Sequence, residues 1–324
     1  MSSTAPSWTS ILHSIIKSTA ERQRIANELS IAPMTLTRWA NGETKPHKQH
    51  LVRLLQAVPV KDRQELFQAL EQQYPDLHAW LIEDTVDTIP SEFFAQVLHM
   101  RTITNERLLF WRLADLILNQ ALEQLDPNRL GLSIRLVQCM PPREDGAIHS
   151  LREIAGKGHF PWPSDLEHEI CFLGGETLCG YVVETGYLQL VSDLRHEHPP
   201  FPVYHDKFEV SAVAHPIRYA GLTAGCLLAA SSQPHYFTPL RVELTKYFSD
   251  LLALAFPKGA FYANEVIKLH VMPEPEKQYA LINTYRERTA RLAQQAALEH
   301  LPFDNTQTSI HVWQQIEGEL LQRC

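Results

Sequence analysis

The most restrictive feature of the chain is the stretch from Arg22 to Gly42. Ile25, Leu29, Ile31, Leu36 and Trp39 supply an apolar core there. Two short helices joined by a tight turn, sharing one apolar core, satisfy that pattern. Ala26 is small where the two helices must cross closely. Pro33 suits the first turn of the second helix, where a missing N–H costs nothing. Gly42 stops that helix at a position that favours positive φ. The helix from Pro33 to about Asn41 then turns Met34, Thr35, Thr37 and Arg38 outward near its N-terminal end. A helix over Trp8–Ala20 precedes the pair, with Trp8, Ile11, Leu12, Ile15 and Ile16 on one face, and a helix over His50–Val58 follows.

Charge separates this head from the rest. Residues 1–56 carry Lys17, Arg22, Arg24, Arg38, Lys45, Lys48 and Arg53 against Glu21, Glu28 and Glu43, a net +4, whereas the whole chain is −8 and the remainder therefore −12. A basic head on an acidic body points to a polyanion as partner of the head alone. With its Arg38-Trp39…Gly42…Pro46 ending, the stretch 8–58 resembles the phage-repressor/Cro (Xre-type) helix-turn-helix family. That family often has Gly in the turn, where this chain has Ser30, and a phosphate-binding Gln where Arg22 stands. The resemblance implies binding to double-stranded DNA. Arg22, Lys45 and Lys48 are then the phosphate contacts, and Met34, Thr35, Thr37, Arg38 and Asn41 the residues presented to the major groove.

Beyond Asp126-Pro127-Asn128 the periodicity shortens. Leu132–Cys139, Glu169–Leu173, Leu188–Val191, Ser211–Arg218 and Thr223–Ala230 are short β-rich runs punctuated by Gly, Pro, Asp and Asn. A helix over Thr177–Glu184, stopped by Gly186, lies between them, and a helix over Pro239–Phe256 closes the region. The Gly180-Tyr-Val-Val-Glu-Thr-Gly186 run and the strand–turn–strand–helix ending from Gly225 to Phe237 resemble a GAF domain over about 107–256. That resemblance implies an antiparallel sheet, a pocket for a small-molecule effector and dimerisation. Cys171, His198, Tyr204, His205 and His215 are the candidate ligand contacts.

Other chemistries find less support. His196-Glu-His198, with His205 and Asp206 nearby, matches no specific zinc spacing, so a metal or haem is not expected and the ligand's identity stays open. The cysteines Cys139, Cys171, Cys179, Cys226 and Cys324 form no disulfide framework, which suits a reducing compartment. Phosphate-cradling glycine loops and His-Glu-x-x-His are absent, and the chain is not expected to be an enzyme. No signal peptide and no run of about 18 apolar residues is seen, so a cytoplasmic protein without membrane contact is expected.

The expected architecture is multidomain. An all-α helix-turn-helix head (1–58) and a helical linker (59–106) lead to an α+β GAF-like sensory domain (107–256) and a helical C-terminal extension (257–324). Helices over Asp62–Trp80, Glu92–Gln124 and Glu274–Leu301 complete it, the last two as candidate seams of a homodimer. In the second, Phe94, Val97, Leu98, Leu109, Leu113, Leu116 and Ile117 are expected on one face. The expected function is ligand-controlled transcriptional regulation. One alternative is an interaction protein whose head binds another protein and whose GAF domain only dimerises. Another is a cysteine-dependent reductase using Cys171 or Cys179.

Overall fold

The computed structural model describes residues 6–75, 77, 88–166, 171–197, 206–299 and 304–323, apart from the side chains of residues 60 and 107. Five helices open the chain: α1 (Trp8–Ile15), α2 (Thr19–Glu28), α3 (Pro33–Ala40), α4 (Lys48–Ala57) and α5 (Val60–Gln73). Ser7 and Ser18 cap α1 and α2 by accepting from Ser10 N and Glu21 N. Leu12, Ile25, Leu29, Leu36, Leu51, Leu54 and Leu55 are fully buried between the helices, and Trp39 nearly so.

The turn between α2 and α3 has a specific geometry. Ser30 N donates to Asn27 O at 3.0 Å and Ile31 N to Ala26 O at 2.9 Å, with Ser30 at φ 56°. This is a Schellman closure, usually built on glycine. The end of α3 repeats it: Gly42 N donates to Trp39 O and Glu43 N to Arg38 O, with Gly42 at φ 71°. Both helices of the pair therefore stop by the same device, once with the expected glycine and once with a serine.

Of the stretch 59–106, expected as a helical linker, α5 packs into the head. Its Leu66, Phe67 and Leu70 are buried, and Trp8 Nε1 donates to Gln73 Oε1 at 2.5 Å. The helix ends at Gln73, short of the expected Trp80, which lies outside the described residues. Instead of one helix over Glu92–Gln124 there are two, α6 (Ser91–Ile103) and α7 (Glu106–Leu125), parted at Thr104-Asn105. Phe94 and Leu98 are 40% and 58% exposed, whereas Phe93 and Val97 are buried. Two adjacent i,i+4 stripes run along α6 and only one can face the core, which periodicity alone did not resolve.

The second unit is built on a six-stranded antiparallel sheet: β1 (Leu132–Cys139), β2 (Leu151–Gly158), β3 (Phe172–Leu173), β4 (Gln189–Val191), β5 (Ser211–Tyr219) and β6 (Leu222–Ser231), in the order β3-β2-β1-β6-β5-β4. One face, with Ile134, Leu136, Val213, Ile217 and Leu227, packs on α7 and on α9 (Pro239–Leu252). The other, with Val137, Cys139, Ala212, Ala214, Cys226 and Leu228, lies beneath α8 (Leu178–Thr185). Helix α8 begins at the Thr177 cap and ends at Gly186, φ 72°, as its sequence suggests. Helix α9 stops at Leu252, before the expected Phe256.

The C-terminal extension is not helical from its start. Between Pro257 and Glu274 the backbone makes two 3₁₀ turns and pairs with the sheet unit at Thr223/Tyr262 and Ile148/Ile267. Helices α10 (Pro275–Ile282), α11 (Tyr285–Leu298) and α12 (Asn305–Leu321) follow. Val312, Trp313, Ile316 and Leu320 of α12 bury against Met140 and Phe172. Gln278 of α10 accepts from Phe172 N at 2.7 Å and donates to Phe172 O at 2.8 Å, closing the exposed edge of β3 as a neighbouring strand would. No helix among the described residues is long and apolar enough to cross a membrane.

Candidate functional site

Two regions gather the sequence-selected residues, one on the head and one on the sheet. On the head, Met34 is 62% exposed and Arg38 and Asn41 also face solvent, while Thr35 and Thr37 are half-buried. Thr37 Oγ1 donates back to Pro33 O at 3.3 Å, and Asn41 Nδ2 donates to Glu43 Oε1 at 2.9 Å. Lys45 and Lys48 are exposed just beyond α3, and Arg22 is half-buried in the first turn of α2. The buried side of α3, with Leu36, Trp39 and Ala40, is what holds this outer face in place.

The head is docked on the sheet unit through α4 and α5. Gln56 Nε2 donates to Asn128 Oδ1 at 2.5 Å, and Arg63 donates to Gln56 O at 2.7 Å and Val58 O at 3.2 Å. Asn128 belongs to the turn between α7 and β1, organised by the fully buried Asp126. Its carboxylate accepts from Leu130 N at 2.8 Å, Gly131 N at 3.2 Å and Tyr236 Oη at 3.0 Å, with His159 Nδ1 at 2.9 Å. Burial is the main influence lowering Arg63, whose field includes Arg129 and Asp126 of that turn. Glu71 of α5 is near enough to Arg195, on the loop after β4, for each to alter the other's ionisation.

Beneath α8 the sheet carries a buried polar cluster. Arg135 on β1 reaches Glu153 Oε1 on β2 at 3.2 Å and Asp206 Oδ2 at 2.7 Å. Burial opposes its charge, but Glu153 and Asp206 outweigh it and hold the guanidinium firmly protonated. Glu209, half-buried on the same segment as Asp206, has its carboxyl pushed up by burial to about 8, so it is a neutral acid at pH 7. One cation is thus surrounded by three carboxyl groups.

Four cysteines lie on this face of the sheet. Cys171 Sγ donates to Glu153 Oε2 at 3.4 Å. Burial and then the Glu153 charge raise Cys171 well above an ordinary thiol. Cys179 of α8 is raised by its hydrogen bond with the Cys226 thiol and by burial. Cys139, on the same face, is pushed by burial to about 12. At neutral pH Cys139, Cys171 and Cys179 are therefore thiols, poor nucleophiles suited to packing and to soft contacts.

Cys171 and His215, both candidate ligand contacts, fall on opposite faces of the sheet. His215 lies under α9, where Ser249 Oγ donates to Pro216 O at 3.1 Å. Burial lowers it to about 4, so its imidazole is neutral. His198, Tyr204 and His205 lie outside the described residues. No cluster of three or more His, Cys, Asp or Glu suited to a metal occurs among the described residues. His196 instead bonds Asp193, whose carboxylate is held low first by Arg195. Sequence reasoning missed Arg135, Glu153 and Glu209. The one available signal was Arg135 itself, the one charged residue of the run Leu132–Cys139.

Comparison with known proteins bears on the second unit. No curated protein matches the chain. Among solved structures, the type II free methionine-R-sulfoxide reductase of Thermoplasma acidophilum is similar at 17% identity and TM-score 0.33, covering 47% of this chain and 99% of that one. The GAF domain of an Acinetobacter phosphoenolpyruvate-protein phosphotransferase is similar at 16% identity and TM-score 0.34, covering 51% and 90%. The free methionine-R-sulfoxide reductase of Neisseria meningitidis, solved with its substrate, is similar at 14% identity and TM-score 0.33, covering 52% and 92%. The GAF domain family matches residues 112–256. With a six-stranded antiparallel sheet carried by that segment, residues 112–256 of this chain are a GAF domain.

Proposed function

We propose that the chain is a non-enzymatic, ligand-responsive DNA-binding regulator that acts as a homodimer. The observation that carries the DNA reading is the outer face of α3. Met34, Arg38 and Asn41 are exposed there on a rigid two-helix support, in a segment of net positive charge. A helix held by its buried side, with exposed polar side chains and one apolar group at its outer face, is what major-groove readout requires. Lys45 and Lys48 beyond the helix and Arg22 at the start of α2 are positioned to serve phosphates.

The GAF domain supplies the sensing. A small polar molecule would meet the Arg135–Glu153–Asp206–Glu209 cluster and the thiols of Cys171, Cys179 and Cys226. A signal has two short routes to the head: from Arg135 along β1 to the Asp126 turn and Gln56, and from Asp193 through Arg195 to Glu71. Two copies would present α3 to half-sites about 34–36 Å apart. The exposed Phe94 and Leu98 stripe of α6 is the seam this reading favours. Reductase chemistry at Cys171 or Cys179 requires a thiolate, and the raised ionisation of both thiols weighs against it.

The test is selection of bound sites from random duplexes at about 0.1 M salt, comparing the native chain with the Thr35→Ala/Arg38→Ala double variant. Enrichment of a palindromic site, with affinity falling at least about tenfold in the variant, supports the reading. Enrichment indifferent to the substitutions, or none, removes the assignment of α3 and favours a protein partner for the head.

A further inference from the structure

On the face of the sheet opposite Cys171, Cys179 and Cys226, a cleft of about 710 Å³ opens between α7, the β1–β2 pair, the turn after α9 and α12. That volume is within the range of small-molecule sites, about 300–1,000 Å³. Phe110 and Trp111 of α7, Ile154 of β2, Phe256 and Trp313 of α12 make its walls apolar and largely aromatic. Arg152 of β2 also lines it. Strand alternation sends Glu153 to Arg135 beneath α8 and turns Arg152 to this opposite side.

Arg152 differs from Arg135 in its company. Its guanidinium lies 4.3 Å from the centre of the Trp313 ring, and its Nε is buried without a hydrogen-bond partner. Among the described residues it has no ion pair, and burial without a counter-ion pushes it down to about 10. An uncompensated buried guanidinium is costly, and its planar fork of N–H donors matches a carboxylate. Lys258 and Arg101 line the same cleft, against the single acid Glu106. Arg101 is already committed to Leu254 O.

We propose that this cleft is a second ligand site, distinct from the polar cluster beneath α8. It takes a small amphipathic monoanion, with the carboxylate on Arg152 and an aromatic or branched aliphatic body against Phe110, Trp111 and Phe256. Because Trp313 both stacks on Arg152 and anchors α12, occupancy ties the C-terminal extension to the GAF domain. The inference does not rest on DNA binding by the head.

The experiment titrates the full chain with 2-naphthoate and with the neutral 2-naphthalenemethanol, by calorimetry. The expected result is saturable binding of the acid at least about tenfold tighter than of the alcohol, about 1.4 kcal/mol. Arg152→Met should lower the acid to the level of the alcohol and leave the alcohol within about threefold. Should Arg152→Met not fold, Thr306→Trp, an exposed position lining the cleft, keeps Arg152 and should abolish binding of both probes. The proposal is overturned if the acid does not saturate below about 1 mM, or if acid and alcohol bind equally. Binding of the acid unchanged in a folded Arg152→Met or Thr306→Trp chain overturns it as well.

Discussion

Replacing Glu209 by Gln tests whether the polar cluster beneath α8 is ionised as the structure requires. Burial raises this carboxyl from an ordinary 4.5 to about 8. The folded chain therefore holds a proton that the unfolded chain releases between those values. Stability from this group is fully present below 4.5, declines as pH rises, and is gone once pH passes about 8. Between about pH 5.5 and about pH 8 the loss is about 3 kcal/mol, from 1.36 kcal/mol per unit integrated over the window. Glutamine keeps the shape and the neutral form, so the variant should lack this slope and gain on the native chain as pH rises. Urea unfolding followed by tryptophan fluorescence at the two pH values measures the difference directly. Parallel pH dependences would refute the argument, because they would mean Glu209 ionises in the folded state as it does in the unfolded one.

Two further outcomes follow from local geometry. Ser30→Gly should stabilise the head by about 0.5–1 kcal/mol, since relief of the left-handed backbone at φ 56° exceeds the extra unfolded-state freedom of glycine. A thermal melt of the native and variant chains checks it, and a lower melting temperature for Ser30→Gly would contradict it. Gln278→Ala should strand the Phe172 amide and carbonyl at the β3 edge, costing about 2–5 kcal/mol. Faster amide exchange at Phe172 and earlier protease cleavage around α10 are the expected signs, and unchanged protection would show that the edge closes without Gln278.

The elements most legible in the sequence are those whose signal is local. Ile25, Leu29, Leu36 and Trp39 mark their helices by spacing alone, and the buried core uses each of them. Gly42 and Gly186 adopt the positive φ that their positions at helix ends imply. Helix α8 was readable from the run Thr177–Glu184 and its stop at Gly186. Strand β2 was not, because Arg152, Glu153 and Lys157 break its apolar pattern. Pairing with β1, burial of Glu153 against Arg135 and the turn of Arg152 toward α12 make it a strand. Where two stripes compete, as Phe93/Val97 and Phe94/Leu98 do on α6, the pattern is degenerate and only packing chooses.

By itself, the sequence determined the head's helix pair, the basic-to-acidic division of the chain and, β2 apart, the succession of strands and helices in the GAF domain. Each of these is written in residues a few positions apart. Tertiary structure alone decided which charges meet. Arg135, Glu153 and Asp206 are spread over 71 positions and converge only through sheet register. It also decided that Cys171 and His215 part to opposite faces, and that Arg152 lies against Trp313 with no ion pair among the described residues. Partners distant in sequence carry no periodic signature, since their proximity is a property of how strands align and not of any segment's own preference.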